Sequence, residues 1–150
     1  MLVKVVDASA LGALVFGEPK AASIAMALSE ARLFAPALLW FELASICFKK
    51  IRVRPTEAEQ LLAAFKLGSR LTIQIVEVDY FSVLELARRT DLTVYDASYL
   101  WLAEYLHGEL VTLDKKMLKV VSRIKASDLS LTPCFKPQTC TDVVYHPPIR

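Results

Sequence analysis

The chain has 150 residues, of which 55% are hydrophobic, and a formal net charge of +2. It is long enough to bury the core of one domain and too apolar for a disordered chain. A charge this close to zero excludes a global attraction to nucleic acid, so any such affinity must come from a local patch. No uncharged apolar run is long enough to span a membrane, and Lys4 and Asp7 interrupt the start too early for a signal peptide. Three cysteines, an odd number, suit a reducing compartment, and we expect a cytoplasmic protein.

The first third of the chain predicts strands that lead directly into helices. Residues 2–6 form a short apolar run that is typical of a buried strand, and Asp7 stands at the N-cap of the helix that follows. The other elements predicted here are a helix over residues 8–16, an alanine-rich helix over 21–31, a strand over 32–35 and a helix from Pro36 to about residue 50.

The rest of the predicted domain continues the alternation. Residues 51–54 indicate a basic connector, and two capping boxes, Thr56 with Glu59 and Thr93 with Asp96, predict helix starts. The elements predicted here are helices ending near residues 67, 89 and 107, the second capped by Asp79, strands over 72–78 and 109–113, a helix over 115–124 and a last short strand over 127–131.

Strands that alternate with helices indicate an α/β fold with a parallel sheet. From residue 132 the pattern fails, because this segment holds four prolines and two cysteines without a helical period. We therefore predict one domain over residues 1–131 and an appended tail over 132–150. Cys134, Cys140 and His146 in this tail match no strong zinc-binding spacing.

Four carboxylates stand out in this pattern. Asp7 and Asp114 follow apolar strands, Asp96 opens a helix, and Glu42 lies inside an apolar one. A parallel sheet gathers the carboxyl ends of its strands at one edge, so these acids can converge in one pocket. Because such a concentration of negative charge is costly without a cation, the pattern predicts a metal site. Ligands that are all carboxylate oxygens favour Mg²⁺ or Mn²⁺ over zinc.

Each acid also has a simpler explanation. Asp7 and Asp114 could only cap helices, and Asp96 could only serve its capping box. Glu42 could simply be an exposed surface residue, but this is harder to argue because it is the only charged residue between Arg32 and Lys49. A carboxylate in such apolar surroundings needs a basic partner or a metal ion, or else its pKa rises.

The order of these segments resembles the PIN domain, and within it the VapC-like toxins of toxin–antitoxin pairs. The resemblance covers about residues 1–131 and rests on the segments VVDASAL, PALLWFELAS, LTVYDASYLWLA and LVTLDKKML. It implies a three-layer α/β/α domain with a short parallel central sheet. It also implies a Mg²⁺- or Mn²⁺-dependent endoribonuclease that hydrolyses RNA phosphodiester bonds.

The resemblance also implies roles for individual residues and for partners. The catalytic and metal-binding positions correspond to Asp7, Glu42, Asp96 and Asp114. Ser9 and Thr112 match positions beside the site that often carry a small polar side chain. The family further implies an RNA substrate, a homodimer and a cognate antitoxin whose C-terminal segment covers the active-site groove.

Cations near these acids are candidates for binding RNA phosphates. Lys115 and Lys116 follow Asp114 directly and are predicted to contact the substrate. Further candidates are Lys49, Lys50, Arg52, Arg54, Arg88 and Arg89. Cations at helix C-termini also complement the helix dipole, which explains several of these residues without RNA.

Two other functions compete with a nuclease. The same fold could bind RNA or a protein partner without cutting. A third hypothesis is an acid-based phosphatase of the haloacid-dehalogenase type. Such enzymes, however, carry a second Asp two residues after the strand-terminal one. Ser9 stands at that place here.

Overall fold

A computed structural model describes residues 1–127 of the chain. The proposed domain boundary at residue 131, the tail over 132–150 and the predicted strand beyond Ser127 lie outside the described residues. Ser127 itself ends a helix, so the predicted start of that strand at residue 127 is wrong.

Four parallel strands form one sheet in the order β3-β2-β1-β4. They are β1 (Leu2–Val6), β2 (Ala31–Ala35), β3 (Ile73–Ile75) and β4 (Glu109–Val111). The central strand β1 ends in Val5 and Val6, which are fully buried, whereas Leu2 at its start is exposed. The strands β1, β2 and β4 therefore bury their ends most deeply, next to the edge where the acids follow, whereas β3 ends in the exposed Ile75.

Seven α-helices surround this sheet in the described part of the chain. They are α1 (Ala8–Val15), α2 (Ala21–Leu28), α3 (Leu38–Val53), α4 (Ala58–Gly68), α5 (Tyr80–Thr90), α6 (Val94–Tyr105) and α7 (Lys115–Ser127), with a 3₁₀ turn over Pro55–Glu57. The strand and helix content confirms the predicted α/β fold.

The strand order explains why helices lie on both faces of the sheet. The chain steps from β1 to β2 to β3 in one direction and then returns past β1 to β4. Because crossovers between parallel strands are right-handed, this reversal places the helices of the two halves on opposite faces. The contacts agree, since α1 packs on α2, α3 and α4, whereas α5 packs on α6 and α6 lies against β1 and β4.

Two predictions around the basic connector are wrong. Ile51 to Val53 form the last turn of α3, so the connector is largely helical. Thr56 does not cap α4, because Pro55 opens a 3₁₀ turn and Glu57 becomes the N-cap residue without a side-chain hydrogen bond. Glu57 instead forms an ion pair with Arg54 at 3.0 Å.

The predicted strands over residues 72–78 and 109–113 are longer than the observed ones. β3 pairs with β2 alone, and β2 ends at Ala35 before Pro36, which has no N–H to extend the ladder. β4 pairs with β1 only as far as Val111, because Asp7 leaves the strand to begin α1. The last two residues of the predicted strand, Thr112 and Leu113, are thereby released to contact the region around Asp7.

Candidate active site

The neighbouring strands β1 and β4 mark the point at which the connections of the sheet diverge. In open α/β sheets ligands bind in the crevice at such a point, beyond the carboxyl ends of the strands. Asp7 follows β1 directly and Asp114 follows β4 after two residues. The N–H of Asp7 donates to the carbonyl oxygen of Val111 at 3.2 Å, which holds the two strand ends together.

Asp7 is held by hydrogen bonds from the start of α1 and from the end of β4. Its Oδ1 accepts from the Ala10 N–H at 2.9 Å, as expected for an N-cap residue. The Ser9 hydroxyl lies 2.8 and 2.9 Å from the two carboxylate oxygens, and the Thr112 hydroxyl donates to Oδ2 at 2.7 Å. Only 5% of Asp7 is exposed. Capping and burial at the strand edge are thus both properties of this one residue.

The two hydroxyl residues connect Asp7 to Asp114. Ser9 accepts from the Leu113 N–H at 2.9 Å, and Thr112 accepts from the Asp114 N–H at 3.0 Å. Asp114 in turn accepts from the Met117 N–H at 2.9 Å and so caps α7. This network fixes the loop after β4 against α1 and places the two aspartates on either side of it.

Glu42 and Asp96 are supplied by helices. Glu42 lies in the second turn of α3, where its Oε2 accepts from the hydroxyl of Tyr99 on α6. Thr93 caps α6 by accepting from the Asp96 N–H at 3.1 Å, and its own hydroxyl donates to Asp96 Oδ2 at 2.8 Å. The predicted helix start at Thr93 is confirmed, although Asp96 bonds the Thr93 hydroxyl rather than its backbone N–H, and the Asp96 carboxylate lies in the first turn of α6.

All four carboxylates line a single cavity of about 240 Å³. Its lining residues are Asp7, Ala8, Ser9, Glu42, Ser45, Ile46, Lys49, Asp96, Tyr99 and Asp114. The structure therefore brings together the four acids that the sequence singled out, from the N-cap of α1, from α3, from α6 and from the loop after β4.

The acids in the cavity disfavour one another's charge. Burial raises the pKa of Asp7, and the negative charge of Asp114 raises it further, against the hydrogen bonds that Asp7 accepts. Burial likewise raises the pKa of Glu42; the hydrogen bond from Tyr99 opposes this change, and the charges of Asp96 and Asp7 add to it. Burial and the neighbouring Glu42 raise the pKa of the Tyr99 hydroxyl, which keeps it protonated as a donor. A cation in the cavity would therefore relieve the repulsion between these carboxylates.

The carboxylates fit a hard cation by their chemistry. Three of them keep one oxygen without a hydrogen-bond donor in residues 1–127, namely Oε1 of Glu42, Oδ1 of Asp96 and Oδ2 of Asp114. No three acidic, thiol or imidazole side chains among these residues stand close enough to share one ion directly. Mg²⁺ usually keeps several of its waters and takes only one or two carboxylates, so this spacing suits coordination that is partly through water.

The predicted substrate-binding residues are placed differently from one another. Ser9 lines the cavity, whereas Thr112 is buried beneath it against Asp7. Lys115 and Lys116 are exposed at the start of α7 and do not line the cavity, and Lys116 lies 3.4 Å from Asp91. Of the other cations named from the sequence, Lys49 is the one that lines it.

Two polar lining residues, Tyr99 and Ser45, were not found from the sequence, nor were the apolar Ala8 and Ile46. The signal for the two polar residues is helical spacing, since Tyr99 stands three residues after Asp96 and Ser45 three residues after Glu42. Residues three or four apart share a face of a helix. By the same spacing, Glu42 and Lys49 lie on one face of α3.

No helix within residues 1–127 combines the length and the apolar character needed to cross a membrane.

Comparisons with known proteins agree with this geometry. The PIN domain family model matches residues 4–123. The chain is 36% identical over 121 residues to a protein named Ribonuclease VapC3 from Pyrobaculum aerophilum, an alignment that covers 75% of this chain and 90% of the relative. It also resembles the crystal structure of PAE2754 from Pyrobaculum aerophilum, with a TM-score of 0.64 and 27% identity over 79% of this chain and 84% of that one. The chain belongs to the PIN domain family.

Proposed function

We propose that this protein is a metal-dependent endoribonuclease that hydrolyses RNA phosphodiester bonds. The family match and the relative named as a ribonuclease support a nuclease. The observation that carries the proposal is the convergence of Asp7, Glu42, Asp96 and Asp114 on one cavity at the strand edge. Four carboxylates without a cation would repel a phosphate placed among them, so the acidic cavity requires an ion before it can accept the scissile phosphate.

In this proposal Asp7, Glu42, Asp96 and Asp114 hold Mg²⁺ or Mn²⁺. Oxygen ligands suit both ions, and PIN-domain nucleases of the VapC type generally use a divalent metal. When bound, such an ion activates water and neutralises charge on a phosphoryl group. The chain's own contribution is to fix the ligands. Ser9 and Thr112 orient Asp7, Tyr99 orients Glu42, and Thr93 orients Asp96.

The biological role in this proposal is that of the toxin in a toxin–antitoxin pair, acting in the cytoplasm. The resemblance to VapC-type proteins supports an antitoxin partner. The proposal also includes a homodimer, which the comparisons do not address. Exposed apolar side chains on α5 agree with a protein partner, because Tyr80, Phe81 and Leu84 are 81%, 71% and 51% exposed.

The proposal is tested by digesting a mixed RNA pool with purified protein. Cleavage is expected with Mg²⁺ or Mn²⁺ and should stop when a chelator is added. Asp96→Asn removes one carboxylate while keeping the size of the side chain, and should reduce the rate on the order of 100-fold or more. Asp91→Asn is the matched control, since Asp91 is exposed and does not line the cavity.

Full activity of Asp96→Asn, or cleavage that persists in chelator, would contradict this mechanism. Absence of cleavage with excess Mn²⁺, together with co-purification of a small protein partner, would favour a module that binds without cutting. Rapid hydrolysis of a small phosphomonoester would point instead to a phosphatase.

A further inference from the structure

A second, larger cleft lies beside the acidic cavity. Its volume is about 380 Å³, within the usual range of ligand pockets. Three residues, Ser9, Ile46 and Lys49, line both spaces, so the two adjoin along one groove. The walls of the second cleft come from α1, from α3, from Glu18 in the loop after α1 and from Leu113 after β4.

The wall between α1 and α3 is apolar and closely built. Gly12, Ala13, Ile46 and Leu113 supply it. A Cβ at Gly12 would lie 3.2 Å from Ile46 Cδ1, so the absence of a side chain there lets the two helices come close without displacing Ile46 into the groove. A surface of this kind suits the apolar face of a base or a ribose rather than a hydrated ion.

The charges of the second cleft differ in sign from those of the first. Lys50 is neutralised by Glu18, because its Nζ lies 2.6 Å from Glu18 Oε1, and it also lies over the Phe16 ring at 5.6 Å from the ring centre. Lys49 is exposed and forms no ion pair within residues 1–127. With Glu18 and two lysines, the second cleft carries one net positive charge, whereas the first carries four carboxylates and shares only Lys49.

We infer that the second cleft is a nucleotide subsite of the proposed nuclease. Its apolar wall takes the base and ribose of the nucleotide adjacent to the scissile bond, and Lys49 binds a phosphate of that nucleotide. The inference rests on the proposed function, because it assumes that the RNA strand is cut in the acidic cavity and continues from there into the second cleft. Lys49, at the junction of the two, anchors a strand whose next phosphate the acids would otherwise repel.

The first experiment replaces Lys49 and measures steady-state cleavage of a short RNA. Lys49→Gln should raise KM roughly five- to tenfold, the equivalent of one lost phosphate contact, and leave kcat within about twofold. The salt dependence of RNA affinity, as the slope of log K against log [salt], should fall by about 0.7. Lys66→Gln on α4, an exposed lysine that lines neither space, should change neither quantity. Equal effects of the two variants, or an unchanged KM for Lys49→Gln, would overturn the inference.

The second experiment does not depend on cleavage. With chelator present, adenosine 5′-monophosphate is added to the full chain while the methyl NMR signals of Ile46 and Leu113 are followed. We expect shifts with the nucleotide, weaker shifts with adenosine and none with inorganic phosphate alone. Shifts of equal size with inorganic phosphate, or none with the nucleotide, would show that no nucleoside occupies the cleft.

A third variant narrows the cleft without touching its charge. Gly12→Ala adds a methyl group 3.2 Å from Ile46 Cδ1, so Ile46 must move into the groove, and the thermal midpoint is measured alongside to show that the variant is folded. Nucleotide-induced shifts should weaken at least about twofold in this variant, and unchanged shifts would contradict the subsite.

The two proposals can fail separately. Nucleotide binding without any RNA cleavage would contradict the proposed nuclease alone, and RNA cleavage without nucleotide binding would contradict the subsite alone.

Discussion

Asp7 and Asp79 cap helices by the same local geometry, and of these two only Asp7 belongs to the candidate site. Asp7 accepts from Ala10 N–H at 2.9 Å at the start of α1, and Asp79 accepts from Ser82 N–H at 2.8 Å at the start of α5. Burial raises the pKa of Asp7, whereas the hydrogen bonds with Ser82 lower the pKa of the exposed Asp79. The two caps have the same hydrogen-bond geometry, but their surroundings shift the pKa of the two carboxyl groups in opposite directions.

The difference arises from the sheet. Asp7 follows the central strand β1, beside β4, so a second strand end and its Thr112 close over it. Asp79 follows the edge strand β3 after residues 76–78, beyond the last hydrogen bond to β2 at Val76, and remains exposed. A capping aspartate thus becomes a candidate ligand where the topology places other acids against it, and stays a structural residue where it does not.

The largest expected effect comes from exchanging each of these aspartates for Asn, which caps helices equally well. Asp7→Asn should lower RNA cleavage on the order of 100- to 1000-fold, and Asp79→Asn should leave it unchanged. Metal-dependent digestion of one RNA substrate by the two variants measures this difference. A similar loss in both variants would mean that the cap, and not the cavity, controls activity.

Asp7→Asn and Asp79→Asn should change the free energy of unfolding in opposite directions when no metal is bound. Because the pKa of Asp7 is raised in the fold, its ionisation at neutral pH costs stability, and Asp7→Asn should raise the free energy of unfolding. The lowered pKa of Asp79 means that its charge stabilises the fold, so Asp79→Asn should lower that free energy slightly. Urea denaturation in chelator at pH 7 compares the two.

The second expected effect concerns the support of Asp7 by Thr112. Thr112→Val keeps the shape of the side chain but removes its donor to Asp7 and its acceptor for the Asp114 N–H. Leaving such buried groups unpaired should cost about 1 to 3 kcal/mol of stability, measured by urea denaturation. Thr72→Val serves as the control, since Thr72 is exposed and no hydrogen bond of its side chain supports the site. Equal stability changes would show that the network below the cavity is not what fixes Asp7.

The third expected effect separates positioning from catalysis on α6. Tyr99→Phe removes the hydroxyl that donates to Glu42 and keeps the buried ring. We expect the metal concentration needed for half-maximal activity to rise about tenfold, as for other residues that orient a ligand, with little change at saturating metal. Tyr95→Phe, on the exposed side of the same helix, should leave the metal titration unchanged. A lower maximal rate at saturating metal would contradict a role through Glu42 alone.

The sequence predicted those parts of the fold whose signals are local. The N-caps Asp7, Asp79 and Thr93 each needed only a polar residue before an apolar helical run, and all three hold in the structure. The wrong capping box at Thr56 fails because the preceding Pro55 opens a tighter turn. The length of β3 was overestimated because a strand ends where its neighbour stops, and the end of β2 at Ala35 lies about forty residues away in the chain.

The same limit applies to the candidate site. The four acids could be proposed to converge because parallel strands share an edge, and they line one cavity. Whether a given lysine reaches that cavity depends on how α3 and α7 are rotated, which no local pattern encodes. Lys115 and Lys116 therefore stand outside it despite following Asp114, and Lys49 lines it because it shares a helix face with Glu42.

The smallest expected effect concerns Glu104, a half-buried acid outside the cavity. It shows whether a raised pKa is by itself a sign of the active site. Glu104 lies near the end of α6, does not line the cavity, and burial raises its pKa to about 6, which the nearby Arg89 only partly offsets. Its carboxyl ionises more readily in the unfolded chain, so stability should fall as the pH rises from about 4.5 through about 6 and stay lower above. Glu104→Gln should remove this loss, about 1 kcal/mol once partial exposure is considered, without changing RNA cleavage. Denaturation from pH 4 to 8, with exposed Glu59→Gln as control, measures it. An activity loss in Glu104→Gln would mean that the acidic site extends along α6, since burial without other acids nearby should produce a stability effect alone.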